Sequence, residues 1–127
     1  MMVKRFEDLN SWKRSRHLCK DLFEIVQKRK FNKYGFLKEE ILRSGIDIMK
    51  NISLGFSKGG EVVFEHHLQI ALGSAFKLRN MNYMLMDMGL ISKAELAQLN
   101  TQIKELISRV LGLIDYIGKN DMVSDRP

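Results

Sequence analysis

The sequence predicts an all-α protein, an up-down-up-down antiparallel four-helix bundle, and three observations carry that reading. The only proline in 127 residues is Pro127, so no proline interrupts a helix before the last position. Apolar residues recur at steps of three and four through four stretches, about 8–30, 33–54, 61–88 and 93–117. The joints between them are short, which makes sequence neighbours antiparallel partners. Aromatic content of 9% and few β-branched runs argue against a sheet.

The first helix is expected to open at Asp8, a good N-cap, with Phe6 packing back over its first turn. Leu9, Trp12, Ser15, Leu18, Cys19, Leu22, Phe23 and Val26 form its apolar row, and the run ends in Lys28-Arg29-Lys30, cations suited to a helix C-terminus. Trp12 reads as a core or interface anchor, with stacking on a base as the alternative. Phe31-Asn32-Lys33 reads as a connection in which Asn32 caps the second helix, and Gly35 lets that helix start anywhere from Lys33 to Leu37. Ile41, Ile48 and Ile52 carry its buried face, and Gly55 is expected at C′, just past its end. The third helix opens near Glu61 and packs through Phe64, Leu68, Ala71, Ala75 and Leu78, with Gly89 closing it. Its methionines, Met81, Met84, Met86 and Met88, read as core filler before binding surface.

Two small-residue notches sit in mid-helix, Ser44-Gly45 and Gly73-Ser74. Glycine there costs about 1 kcal/mol relative to alanine, so a neighbouring helix or subunit is expected to approach closely. Ser92-Lys93-Ala94-Glu95 is a capping box for the fourth helix. Leu96, Leu99, Ile103, Leu106, Val110, Leu113 and Ile117 follow at alternating steps of three and four, the pattern of left-handed bundle packing. A second row, Ile107, Leu111 and Ile114, is wider than one bundle face needs and predicts burial against another subunit. Gly118 is expected to end the helix. Residues 1–127 read as one domain with frayed ends at 1–6 and 119–127.

Composition narrows the function. The single Cys19 rules out an internal disulfide and a four-cysteine zinc site and fits a reducing compartment. No apolar run approaches the roughly 18 residues of a membrane span, and residues 1–8 have no signal-peptide core behind them, so a cytoplasmic protein with no membrane partner is expected. Net charge is +6, and its excess lies in one half: residues 1–60 hold 14 Lys/Arg against 7 Asp/Glu, residues 61–127 hold 7 against 8. That asymmetry points to an anionic partner, nucleic acid before membrane surface, against the plainer reading of a solvated basic surface.

Chemistry is sparse. No Glu-x-x-His occurs, and His66 and His67 are adjacent, so they diverge by about 100° on a helix; no metal site or cofactor is expected. The joint Gly55-Phe56-Ser57-Lys58-Gly59-Gly60 lacks the spacing and the preceding strand of a phosphate loop and reads as a hairpin turn, with Lys58 able to touch an anion. Cys19 lies on an apolar row with no base fixed nearby in sequence, so a nucleophile is not expected.

Two motifs carry a resemblance. Ile48-Met49-Lys50-Asn51-Ile52-Ser53-Leu54-Gly55 resembles the S-I-x-x-N-I-A-E-G signature of the four-helix-bundle proteins encoded in 23S rRNA intervening sequences. Ile70-Ala71-Leu72-Gly73-Ser74-Ala75-Phe76-Lys77-Leu78 is similar to the same family's I-A-x-G-S-x-x-E-L, and Phe6-Glu7-Asp8-Leu9 with Trp12 and Met88-Gly89-Leu90-Ile91 resemble its opening and its last turn. Three positions depart: Leu54 and Lys77 replace glutamates, and Glu40 replaces a glutamine. The resemblance implies a homopentamer with no enzymatic activity to carry over. Related bundles include the accessory variability determinants of diversity-generating retroelements, basic pentamers that bind nucleic acid and a reverse transcriptase.

The reading is therefore a non-enzymatic, oligomeric bundle binding RNA or DNA through Lys13, Arg14, Lys20, Lys28, Arg29, Lys30, Lys33 and, at the hairpin, Lys58. The alternative is a protein-interaction scaffold, such as an accessory subunit of a reverse transcriptase, whose charge is incidental.

Overall fold

A computed structural model describes residues 3–119. Four helices, α1 (Asn10–Val26), α2 (Gly35–Lys58), α3 (Glu61–Asp87) and α4 (Lys93–Lys119), form an antiparallel bundle in which each packs on its sequence neighbours and α4 closes the ring against α1. The described residues contain no strand. The core is the set of faces read from the sequence: Leu18, Leu22 and Val26 from α1, Ile41, Ile48 and Ile52 from α2, Phe64, Leu68 and Leu78 from α3, and Leu99, Ile103 and Leu106 from α4.

The helix ends are where the structure departs from the sequence reading. α1 stops at Val26 rather than running to residue 30, because Lys28 turns extended and a short 3-10 helix (Arg29–Lys33) swings Phe31 into the core, where it is fully buried. Asp8 does not cap α1. It lies in a 3-10 turn (Phe6–Asp8), paired with Arg5 at 3.5 Å, and the N-cap position falls to the buried Leu9, which makes no side-chain cap. Burying Leu9 outweighs a capping bond of about 1 kcal/mol. Asn32 does not cap α2 either; the chain enters at Tyr34 with no side-chain cap. Val3 is buried in the core, so the expected fraying of residues 1–6 does not extend to it. The expected loose end at 119–127 lies, beyond Lys119, outside the described residues.

Gly55 is the largest correction. It lies inside α2, which continues to Lys58, and Gly59 and Gly60 take the positive φ angles (82° and 88°) that reverse the chain. Gly55 is needed where α2 crosses α3: a Cβ there would sit 2.5 Å from the Cβ of His67. The same crossing holds Phe56 edge-to-face on Phe64, with centroids 5.6 Å apart. It also buries Asn51, whose amide donates to Asp47 O (2.8 Å) and whose carbonyl accepts from His67 Nδ1 (2.9 Å). That bond fixes the His67 tautomer. Burial, and then the nearby cations Lys58, His66 and Lys50, hold the His67 pKa below its usual value. Gly118 likewise fails to end α4, which passes through it to Lys119.

Other signals appear as read. The capping box is formed: Ser92 N–H donates to Glu95 Oε1 (2.8 Å) and Glu95 N–H to Ser92 Oγ (3.1 Å). Gly89 (φ 75°) closes α3, with Leu90 N–H bonding Leu85 O and Gly89 N–H bonding Met86 O, a Schellman motif. The Gly45 notch receives α1: a Cβ would lie 3.1 Å from Leu22 Cδ1 and 3.2 Å from Cys19 Sγ. The Gly73 notch meets nothing within 4 Å. Met81 is buried and Met86 packs on the core, while Met84 and Met88 stay exposed. Glu40 and Lys77, two of the three departures from the motif pattern, meet as a salt bridge across α2 and α3 that holds the Glu40 carboxyl below its usual range.

The two glycines separate the roles of a notch. Gly55→Ala is expected to destabilise by about 1–3 kcal/mol, because the methyl must displace the α3 backbone at His67. Gly73→Ala is expected to stabilise the isolated subunit by up to about 1 kcal/mol through helix propensity, since no helix of the same subunit meets it. Urea melts of the two variants measure both signs.

Candidate nucleic-acid interface

The eight cations named from the sequence fall in three places. Lys13, Arg14 and Lys20 project from α1; Lys28, Arg29, Lys30 and Lys33 cluster where α1 turns into α2; Lys58 sits at the opposite end of α2. At 1.5 Å of rise per residue, α2 alone separates Lys33 from Lys58 by roughly 36 Å. Lys58 therefore belongs to a different end of the molecule.

Two of the eight are held by carboxylates. A polar seam joins α1 and the residue just past its end to α4, at seven-residue intervals. Arg14 pairs with Glu105 (2.9 Å), Asp21 accepts from Gln102 (2.9 Å), and Lys28 pairs with Glu95. Arg14 is further held by Asn10 Oδ1 (2.8 Å). Burial by itself pushes the Glu95 carboxyl up, but the Lys28 bond and the Ser92 cap outweigh it and leave the carboxyl below its ordinary value. Lys30 reaches Gly89 O at 3.3 Å, stitching the α1–α2 corner to the α3–α4 turn. Arg29 and Lys33 remain exposed beside it.

What remains is a strip on the outer face of α1. Lys13, Arg16, His17 and Lys20 recur at i, i+3, i+4 and i+7, all exposed, around one open depression of about 340 Å³. Lys13 and His17 also border a second depression, about 250 Å³, whose other walls are Arg14 and Gln102. Arg16 was not among the residues read from the sequence as contacts, although its spacing from Lys13 and Lys20 marks it. Its guanidinium lies 5.9 Å over the Trp12 ring, which packs edge-on against Phe6 at 5.2 Å. Trp12 is therefore half-buried and anchors the N-terminal turn, as the core reading expected. His17 leans on Asp21 at 3.5 Å.

The strip can bind an anion, and catalytic groups are scarce around it. Burial pushes the half-buried Cys19 thiol up to about 11, which keeps it protonated at neutral pH. Among the described residues, no three His, Cys, Asp or Glu side chains converge in a way that would hold a metal ion. No described helix is long and apolar enough to cross a membrane.

Comparison with known proteins matches this architecture. A family model described as 23S rRNA-intervening sequence protein covers residues 7–112. A crystal structure from Bacteroides thetaiotaomicron VPI-5482, of a protein of unknown function from the S23 ribosomal protein family, is similar in fold. Its TM-score is 0.75 at 20% identity over 82% of this chain and 97% of that one. No curated protein matches the chain.

The seam is expected to act on stability. The folded Glu95 carboxyl titrates below its unfolded value of about 4.3, so its contribution is present above that pH and disappears as pH falls through the lower folded value. Glu95→Gln should lower stability at pH 7 by up to about 1 kcal/mol, with the gap to the parent closing in acid, as read by denaturant melts across pH.

Proposed function

Because the chain belongs to the 23S rRNA-intervening sequence protein family, we propose that it is a non-enzymatic bundle that binds the phosphates of RNA or DNA. The observation that carries this reading is the strip Lys13, Arg16, His17, Lys20 on an exposed helix face, where Asp21 pairs with His17 and leaves the Lys13, Arg16 and Lys20 cations toward solvent. Arg29, Lys30 and Lys33 extend the basic surface at the α1–α2 corner. Arg14 and Lys28, paired to α4, position the strip and contribute little direct binding. Lysine and arginine on a flat helix face contact phosphate oxygens and read no base sequence, so binding is salt-sensitive and sequence-tolerant.

Oligomerisation is part of the same reading, and a pentamer is the state implied by the family resemblance. Support comes from large apolar side chains left in solvent, among them Phe23 (56% exposed), Ile46 (57%) and Phe76 (45%), together with the Gly73 notch that no helix of the same subunit fills. A ring would repeat the basic strip and multiply weak contacts by avidity. The same exposed apolar surface favours a second reading, a scaffold that docks an enzyme such as a reverse transcriptase.

Titration of structured RNA and duplex DNA against salt tests the first reading. The triple variant Lys13→Ala, Arg16→Ala, Lys20→Ala should flatten the slope of log K against log salt by about 2–3, near one unit per lost phosphate contact. Absence of binding by the parent at low salt overturns it. Light scattering should return a multiple of the 14.8 kDa chain, and Phe76→Glu should shift it toward the monomer.

A further inference from the structure

A cleft lies near the basic strip, between the start of α1 and the later turns of α4, and the proposed function leaves it unused. It holds about 510 Å³, the size of a small-molecule site. Tyr116 and Leu113 give it an apolar side; Ser11, Ser108 and Arg109 give it polar groups of both donor and acceptor kind. Gly112 lines it without a side chain, and a Cβ there would meet nothing within 4 Å, so the space is open. The Ser11 hydroxyl is buried (4% exposed) and has no hydrogen-bond partner. A buried orphan hydroxyl is unfavourable, and a polar group entering the cleft would satisfy it.

The cleft and the strip lie on either side of one ion pair. Its wall residue Glu105 is bonded to Arg14, which borders the next depression with Lys13 and His17. Those two residues are shared with the depression formed by Arg16 and Lys20. From Ser11 to Lys20 the path follows about 14 Å of one helix. A cleft with one aromatic and several polar walls, close to a row of exposed cations, fits a nucleotide whose base is free to leave its stack. A duplex keeps its bases paired and stacked and offers the strip only its phosphates.

We propose that the cleft takes an unstacked base of single-stranded nucleic acid while the adjoining phosphates run along Lys13, Arg16 and Lys20. The inference rests on the phosphate-binding reading above and deepens it by naming the strand state of the ligand. Tyr116 supplies a ring for stacking, and Ser11, Ser108 and Arg109 supply hydrogen bonds to base and sugar edges.

The test compares short single-stranded RNA and DNA, their abasic counterparts with the same phosphates, and a duplex, by fluorescence anisotropy at low salt. The intact single strands should bind roughly tenfold more tightly than the abasic ones, the gain of one stacked base. Gly112→Leu, which fills the cleft from an open helical position and replaces glycine by a better helix former, should erase that difference, keep abasic binding unchanged and melt no lower than the parent. Ser11→Ala should weaken only the base-dependent part while raising the stability of the free protein, since it deletes the orphan hydroxyl. Equal binding of intact and abasic strands, or a base-dependent gain that survives Gly112→Leu, overturns the inference and leaves phosphate binding standing. No binding of any strand overturns the phosphate reading and this inference with it.

Discussion

The close crossing of α2 and α3 at Gly55 is the constraint around which the bundle is arranged. With no Cβ at that position, the α3 backbone at His67 comes within a distance that any other residue would block. That approach brings Asn51 to His67 and Phe56 to Phe64, so one polar and one aromatic contact lock the hairpin within four residues of the glycine. The hairpin then offers two prepared surfaces. Gly45 receives Leu22 and Cys19 of α1, and Asn82 Nδ2 meets Asn100 Oδ1 of α4 at 3.3 Å inside the core. The Glu40–Lys77 bridge ties the two helices again nearer the other end of the bundle. Glutamates at positions 40 and 77 together would repel across this interface, so the Lys77 departure is matched by its partner.

The second organising feature is the polar seam between α1 and α4. Arg14 and Asp21 on α1 and Lys28 just past its end recur every seven residues, and each finds a complement on α4. Half-exposed pairs of this kind add little stability individually. Their larger consequence is orientation. Fixing α1 by that edge leaves Lys13, Arg16, His17 and Lys20 on its outer side, without carboxylates except Asp21. The uneven charge of the chain thereby becomes a strip on one helix, which is what a polyanion can use.

The surface carries two other unspent features, exposed aromatic and aliphatic side chains and an open cleft at one end of the α1–α4 groove. They lie apart from the strip in different ways. Phe76 and Gly73 belong to α3, across the bundle from α1, so association through them is compatible with an open strip. The cleft neighbours the strip, with the Arg14–Glu105 pair between them. On the proposed reading, one face would serve copies of the chain and another an anionic strand, with no rearrangement between them.

The sequence by itself determined the helix count, the buried rows, the capping box at Ser92 and the closing turn at Gly89, because each is a local matter of periodicity or backbone preference. It also located the basic excess. It misplaced Gly55 and Gly118, since a glycine that ends a helix and one that admits a neighbour look alike until the neighbour is present. It read Asp8 and Asn32 as caps, where burial of Leu9 and Phe31 won. It could not sort Arg14 and Lys28 from Lys13 and Lys20, nor find the cleft, because their partners Glu105, Glu95, Arg109 and Tyr116 are about 65 to 105 residues away along the chain. Which charges are spent inside the fold and which stay available is decided by long-range pairing, and only the tertiary structure holds that information.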